Sequence, residues 1–135
     1  LEMVRRTQEE FRQELVRRFG TDWRDWAFVC PHCGDLATGA DFEAALIESN
    51  RLGEDGKPEP HRYLGQQCIG RVSGALSMSA EHWAKTGKRG CDWCAFGLFS
   101  GPDVVVLPDG KEVYSFKMAE VEMTAEITEE EPSGT

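Results

Sequence analysis

Apolar residues recur four apart at Phe11, Leu15 and Phe19, with mostly charged or polar residues between them. That spacing puts the three side chains on one helical face and predicts an amphipathic helix over 7–19. Val4 and Gln8 fall near the start of the same face. Thr7-Gln8-Glu9-Glu10 has the form of a capping box, and Gly20 supplies a stop. Arg12, Arg17 and Arg18 then form the solvated side. The pattern changes at Trp26-Ala27-Phe28-Val29, a short β-prone run, with Leu36–Thr38 as its returning strand. Asp41 is placed to cap a second helix that carries Phe42, Ala45 and Leu46 and ends near Ser49. Residues 50–60 read as a polar, turn-rich loop. A short helix is expected from Ser79 to Lys85, anchored by Trp83. Val104–Leu107 and Lys111–Phe116, joined by Pro108-Asp109-Gly110, read as a hairpin over 103–116. From 118 the chain turns acidic and poor in large apolar groups, which predicts a disordered tail over 118–135.

The 135 residues suit one domain, expected over 1–117. Four Trp and seven Phe give it core material. No run approaches the roughly eighteen apolar residues of a membrane span. The charged N-terminus shows no apolar leader, so a cytoplasmic location is expected. The net charge of −9 gathers in 30–59 and 101–135, while 60–100 is basic. That balance opposes general binding to nucleic acid, which needs Lys and Arg to neutralise phosphates.

The chemistry lies in five cysteines at 30, 33, 68, 91 and 94. Cys30-Pro31-His32-Cys33-Gly34 suits a tight turn whose backbone N–H groups face two sulfurs, and Cys91/Cys94 repeats the spacing. Paired cysteines in a reducing compartment hold metal more often than they form disulfides. Spacing alone would join Cys30 and Cys33 to Cys91 and Cys94, leaving Cys68 as a buried small hydrophobe. The neighbours favour Cys68 instead: Gly70 lets a backbone turn approach a metal, whereas Cys94 enters the apolar run Ala95-Phe96. Both sets stay open on these grounds.

The ordered motifs Cys30-Pro31-His32-Cys33-Gly34, Gln67-Cys68-Ile69-Gly70-Arg71, Arg89-Gly90-Cys91-Asp92-Trp93, Gly97-Leu98-Phe99 and Pro108-Asp109-Gly110 resemble an uncharacterised family of small zinc-ribbon-like proteins from bacteria and mobile elements. The resemblance runs from about Trp26 to Phe116. It implies Cys30, Cys33, Cys68 and Cys91 as the ligand set, with Cys94 dispensable. One structural Zn2+ per chain is the expected cofactor, although a rubredoxin-type iron site has the same donors. The expected fold class is α+β: a small zinc-ribbon-like β core, zinc-binding over about 26–100, with an N-terminal amphipathic helix and a C-terminal β-hairpin.

No His-x-Glu deaminase segment, phosphate loop or nucleophile elbow is present, so no enzyme activity is expected. Cys30 and Cys33 also match a thiol oxidoreductase pair, but Gly34 and Gly39 interrupt the long helix that reading needs. The expected role is a non-enzymatic protein-interaction module, a host-factor modulator if the mobile-element link holds. A nucleic-acid-binding ribbon over 61–93 is the alternative, through Arg62, Lys85, Lys88 and Arg89. Against it, Arg71 and Arg89 are placed to brace the cysteine loops by pairing with Asp35 and Asp92.

Overall fold

Thr7 and Glu10 close the capping box: Glu10 N–H donates to the Thr7 hydroxyl (3.1 Å) and Thr7 N–H donates to the Glu10 carboxylate (2.9 Å). In this computed structural model, which describes residues 3–95 and 102–120, the box opens α1 (Gln8–Phe19). Leu15 is buried, with Phe11 and Phe19 packed against the same cluster. Gly20 N–H ends the helix on the Val16 carbonyl (2.8 Å).

The segment before α1 departs from the expected pattern. Arg5–Thr7 form β1, which runs parallel to β4 (Asp103–Val106), and β4 pairs antiparallel with β5 (Glu112–Ser115). Val4 therefore does not share the helical face. Its N–H donates to the Asp103 carboxylate (3.0 Å) and its carbonyl accepts from Val104 N–H (2.9 Å). A three-residue strand has too little pattern to be read without its partner. The β4–β5 hairpin forms where expected, around a turn closed by Gly110 N–H on the Leu107 carbonyl (2.8 Å).

A second sheet has the order β3-β2-β6, from Leu36–Thr38, Ala27–Val29 and Lys117–Met118. Met118 and Ala119, expected in the acidic tail, are instead buried, and Ala119 N–H bonds the Ala27 carbonyl (2.9 Å). Pairing to β2 outweighs the acidic composition that follows. Residues 121–135 and the Gly97-Leu98-Phe99 motif lie outside the described residues.

α2 (Gly39–Glu48) buries Phe42, Ala45 and Leu46 as its spacing requires. Its cap is Thr38 rather than Asp41: Asp41 N–H donates to the Thr38 hydroxyl (3.1 Å), and the Asp41 carboxylate returns the bond to Thr38 N–H (2.9 Å). α3 (Ile69–Ser73), unforeseen because five residues with Gly70 and Ser73 show no helical period, packs Ile69 and Val72 against α2. α4 (Ala80–Thr86) is capped by Ser79 and buries Trp83. The described residues thus form a mixed α+β fold, as expected, with four helices and two three-stranded sheets.

Charged groups join these layers. The buried Asp103 carboxylate takes Lys117 Nζ at 2.6 Å and Arg6 at 3.5 Å, linking the two sheets. Arg18, expected in solvent, is partly buried. It bonds the Glu14 carboxylate (2.6 Å) and the Ala119 carbonyl (3.0 Å), tying α1 to the end of β6.

The Arg17 hydrogen bond, seconded by Arg18, holds the Glu14 carboxyl at about 2, against an ordinary 4.5. A depressed carboxyl contributes stability that is full above pH 4.5 and lost as pH falls towards 2. Arg17 is well exposed, so screening limits the gain. Glu14→Gln is expected to cost about 1 kcal/mol at pH 7. Urea midpoints of the two proteins should converge below pH 4.5.

Candidate metal centre

The β2–β3 hairpin builds one side of the site. Cys30 leaves β2 with its N–H bonded to the Asp35 carbonyl (2.9 Å), and Gly34 N–H closes the turn on the Cys30 carbonyl (2.9 Å). His32 N–H then donates to Cys30 Sγ (3.4 Å).

The other side comes from two distant segments. Gln67 and Cys94 form an antiparallel bridge, flanked by Cys68 N–H on the Trp93 carbonyl (3.0 Å) and Ala95 N–H on the Gln66 carbonyl (2.8 Å). Side chains alternate across such a pair, so Cys94 shares the face of Gln67 and Cys68 takes the opposite one. Cys91 N–H donates to Cys68 Sγ (3.1 Å).

Cys30, Cys33, Cys68 and Cys91 converge, with all four sulfurs within 4.8 Å of one another. Cys94 is buried outside the cluster. Cys30 and Cys91 sulfurs are 3.7 Å apart, and those of Cys33 and Cys68 are 3.6 Å apart. Both far exceed a disulfide bond of about 2.05 Å. They match the edge of about 3.8 Å that four sulfurs make when each sits about 2.3 Å from a tetrahedral centre. These four residues could therefore hold a metal ion.

The electrostatics agree. Cys30 is pushed far above the ordinary thiol range by its hydrogen bond to Cys68 and by burial, and burial also raises Cys91. Cys68 is drawn well below that range, chiefly by the Cys30 hydrogen bond and further by the Gly70 and Cys91 amides. Burial thus opposes charge on Cys30 and Cys91, while hydrogen-bond donors favour it on Cys68. A bound metal ion would remove that conflict.

Two glycines allow the approach. Gly90 has φ +87°, and a Cβ there would lie 2.5 Å from Gly70 N and 3.0 Å from Cys68 Sγ. A Cβ on Gly70 would meet Cys91 N and O at 2.5 Å. Backbone thus packs on backbone behind the sulfurs. The sequence signalled Gly70, but only its neighbour in space shows that it also admits residues 90–91.

Arginines clamp the loops from outside. Arg89 bonds both Asp35 oxygens (2.9 and 3.0 Å) and the Leu36 carbonyl (2.5 Å), joining the third segment to the hairpin. Asp35 first, then Asp41, raises its pKa further. Arg71 reaches Asp92 through the backbone carbonyl (2.9 Å), not the carboxylate expected of it. The His32 and Trp93 rings stack 4.8 Å apart across the two halves, a contact invisible in the sequence because 61 positions separate the rings. Of the other basic candidates, Arg62 pairs with Glu59 (2.5 Å), while Lys85 and Lys88 are exposed.

A sequence profile of VVA0879-like proteins matches residues 7–119. The chain belongs to the VVA0879-like family. The matched region contains all four clustered cysteines and both glycines behind them. Comparison with curated proteins and with solved structures found no match.

Two neighbouring glycines separate backbone strain from crowding. Gly87 also has positive φ (+73°), but a Cβ there meets nothing within 4 Å. Gly87→Ala is expected to cost about 1 kcal/mol, and Gly90→Ala about 3 kcal/mol because overpacking adds to the strain. Urea unfolding of the two variants measures the difference.

Proposed function

We propose that this VVA0879-like protein is a non-enzymatic, zinc-stapled module whose centre fixes a surface for another protein. The observation that carries the reading is the four-sulfur cluster with edges near those of a tetrahedral zinc site. Four protein donors complete the coordination of a structural zinc and leave no position for a substrate. Three segments far apart in sequence would be joined at one ion, so binding energy becomes folding energy. Zinc is favoured over iron because a closed thiolate site of this size is typically structural zinc.

The oxidoreductase reading lacks its local support. The Cys30–Cys33 turn continues into β3, whereas that chemistry relies on a helix N-terminus at the first thiol. For nucleic acid, exposed Lys85 and Lys88 favour a weak contact, while Arg62 and Arg89 are engaged by carboxylates. The aromatic residues give it little: Trp83 is buried with its Nε1–H on the Gly90 carbonyl (2.9 Å), and Tyr63 packs against the α2–α3 core. The protein-partner reading draws instead on the acidic balance of the chain and on exposed Val113 and Tyr114 along β5.

Native mass spectrometry of protein expressed with zinc tests the core of this reading. One zinc per chain is expected, retained in Cys94→Ser and lost from Cys30→Ser, Cys33→Ser, Cys68→Ser and Cys91→Ser. Cys30→Ser and Cys91→Ser should also unfold the central region, seen as lost near-UV dichroism. A folded, zinc-free Cys30→Ser protein with an unchanged melting temperature would refute the staple. Retention on DNA that falls with salt and disappears in Lys88→Glu would favour the nucleic-acid reading.

A further inference from the structure

Resting on that zinc reading, we propose that Cys33 is an oxidant-reactive site, where hydrogen peroxide opens the centre and releases the metal. The four sulfurs are not equivalent. Cys30 and Cys68 are buried (3 % and 2 % exposed) and Cys91 is half-buried, whereas Cys33 is exposed. Hydrogen bonding sets Cys33 apart from the buried pair too. Cys30 Sγ accepts from His32 N–H and Cys68 Sγ from Cys91 N–H. Among the described residues no such N–H donor is seen on Cys33 Sγ, and Cys68 Sγ lies 3.6 Å from it.

These differences act in the same direction. An N–H donor draws charge from a thiolate and lowers its nucleophilicity, and burial keeps peroxide away. Cys33 has neither protection. Cys68, whose sulfur lies 3.6 Å away, is placed to resolve the oxidised sulfur.

The chemistry balances with peroxide as the only oxidant. The Cys33 thiolate attacks one peroxide oxygen, the O–O bond breaks, hydroxide leaves, and Cys33 becomes a sulfenic acid. The Cys68 thiolate then attacks the Cys33 sulfur, forming the S–S bond and expelling a second hydroxide. Two thiolates lose two electrons in all. One peroxide gains them and becomes two waters after taking two protons from solvent. Zinc keeps its charge, loses two of four ligands and dissociates. Cys94, buried outside the cluster, serves as an internal control.

The experiment starts from protein that native mass spectrometry shows to hold one zinc per chain. Hydrogen peroxide is added, released zinc is followed with a colorimetric chelator, and cysteine oxidation is mapped by peptide mass spectrometry. One zinc per peroxide consumed is expected, with a Cys33–Cys68 disulfide forming first and Cys94 unmodified. Cys33→His offers zinc an imidazole in place of the exposed thiolate and should release metal roughly tenfold more slowly. A first disulfide that excludes Cys33, or an equal release rate from Cys33→His, overturns the proposal. Should Cys33→His not hold zinc, the wild-type map alone decides. Protein that never holds zinc contradicts the metal reading itself, whereas zinc-loaded protein that peroxide leaves intact contradicts only the reactive site.

Discussion

Four sulfurs held within 4.8 Å of one another are the constraint on which the rest of this protein depends. They come from a hairpin at 30–33, the entry to a short helix at 68 and a loop at 91, so no local element positions them all. Four thiolates this close repel strongly. The surrounding amides, aimed at Cys30 and Cys68, favour the ionised form. A metal ion, which these four residues could hold, would reconcile those two facts.

Around that point the fold is arranged in two apolar clusters. Leu15, Phe28, Phe116 and Met118 gather on the side that contains Cys30 and Cys68, while Phe42, Leu46, Ile69 and Val72 gather under α2. Cys68 and Ile69 are adjacent in sequence yet belong to different clusters, so α3 is the joint between them. Its shortness suits that role: one turn delivers Cys68 to the sulfurs and Val72 to α2. The buried Asp103 does for the two sheets what the cysteines do for the loops, holding Lys117, Arg6 and the amide of Val4 together.

The basic residues of 60–100 look, in sequence, like a binding strip. In space several of them work within the molecule. Arg89 closes the third cysteine segment onto the hairpin, Arg71 braces Asp92, and Arg51 donates to the carbonyls ending α3 (3.2 and 3.4 Å) while lying over Tyr63. Bidentate Arg–carboxylate geometry, as at Arg89, is among the stronger ways to fix a loop. The positive charge that would attract phosphate is to that extent already committed to structure.

Local pattern determined the elements whose signals are local. The capping box and four-residue spacing specified α1, the β-prone runs specified β2 and β3, and Pro108-Asp109-Gly110 specified the β4–β5 turn. The sequence also carried the cysteine spacing and, through Gly70 beside Cys68, a hint of which thiols cluster. It left open whether Cys68 or Cys94 faces the others. Only the Gln67–Cys94 bridge decides that, because alternation across a strand pair puts neighbouring side chains on opposite faces. In the same way, β1 and β6 exist only because β4 and β2 offer them a ladder, and the Gly70–Gly90 contact exists only when residues twenty apart meet. Short strands, close backbone contacts and convergent ligands gain their stability from partners distant along the chain, and tertiary structure alone brings those partners together.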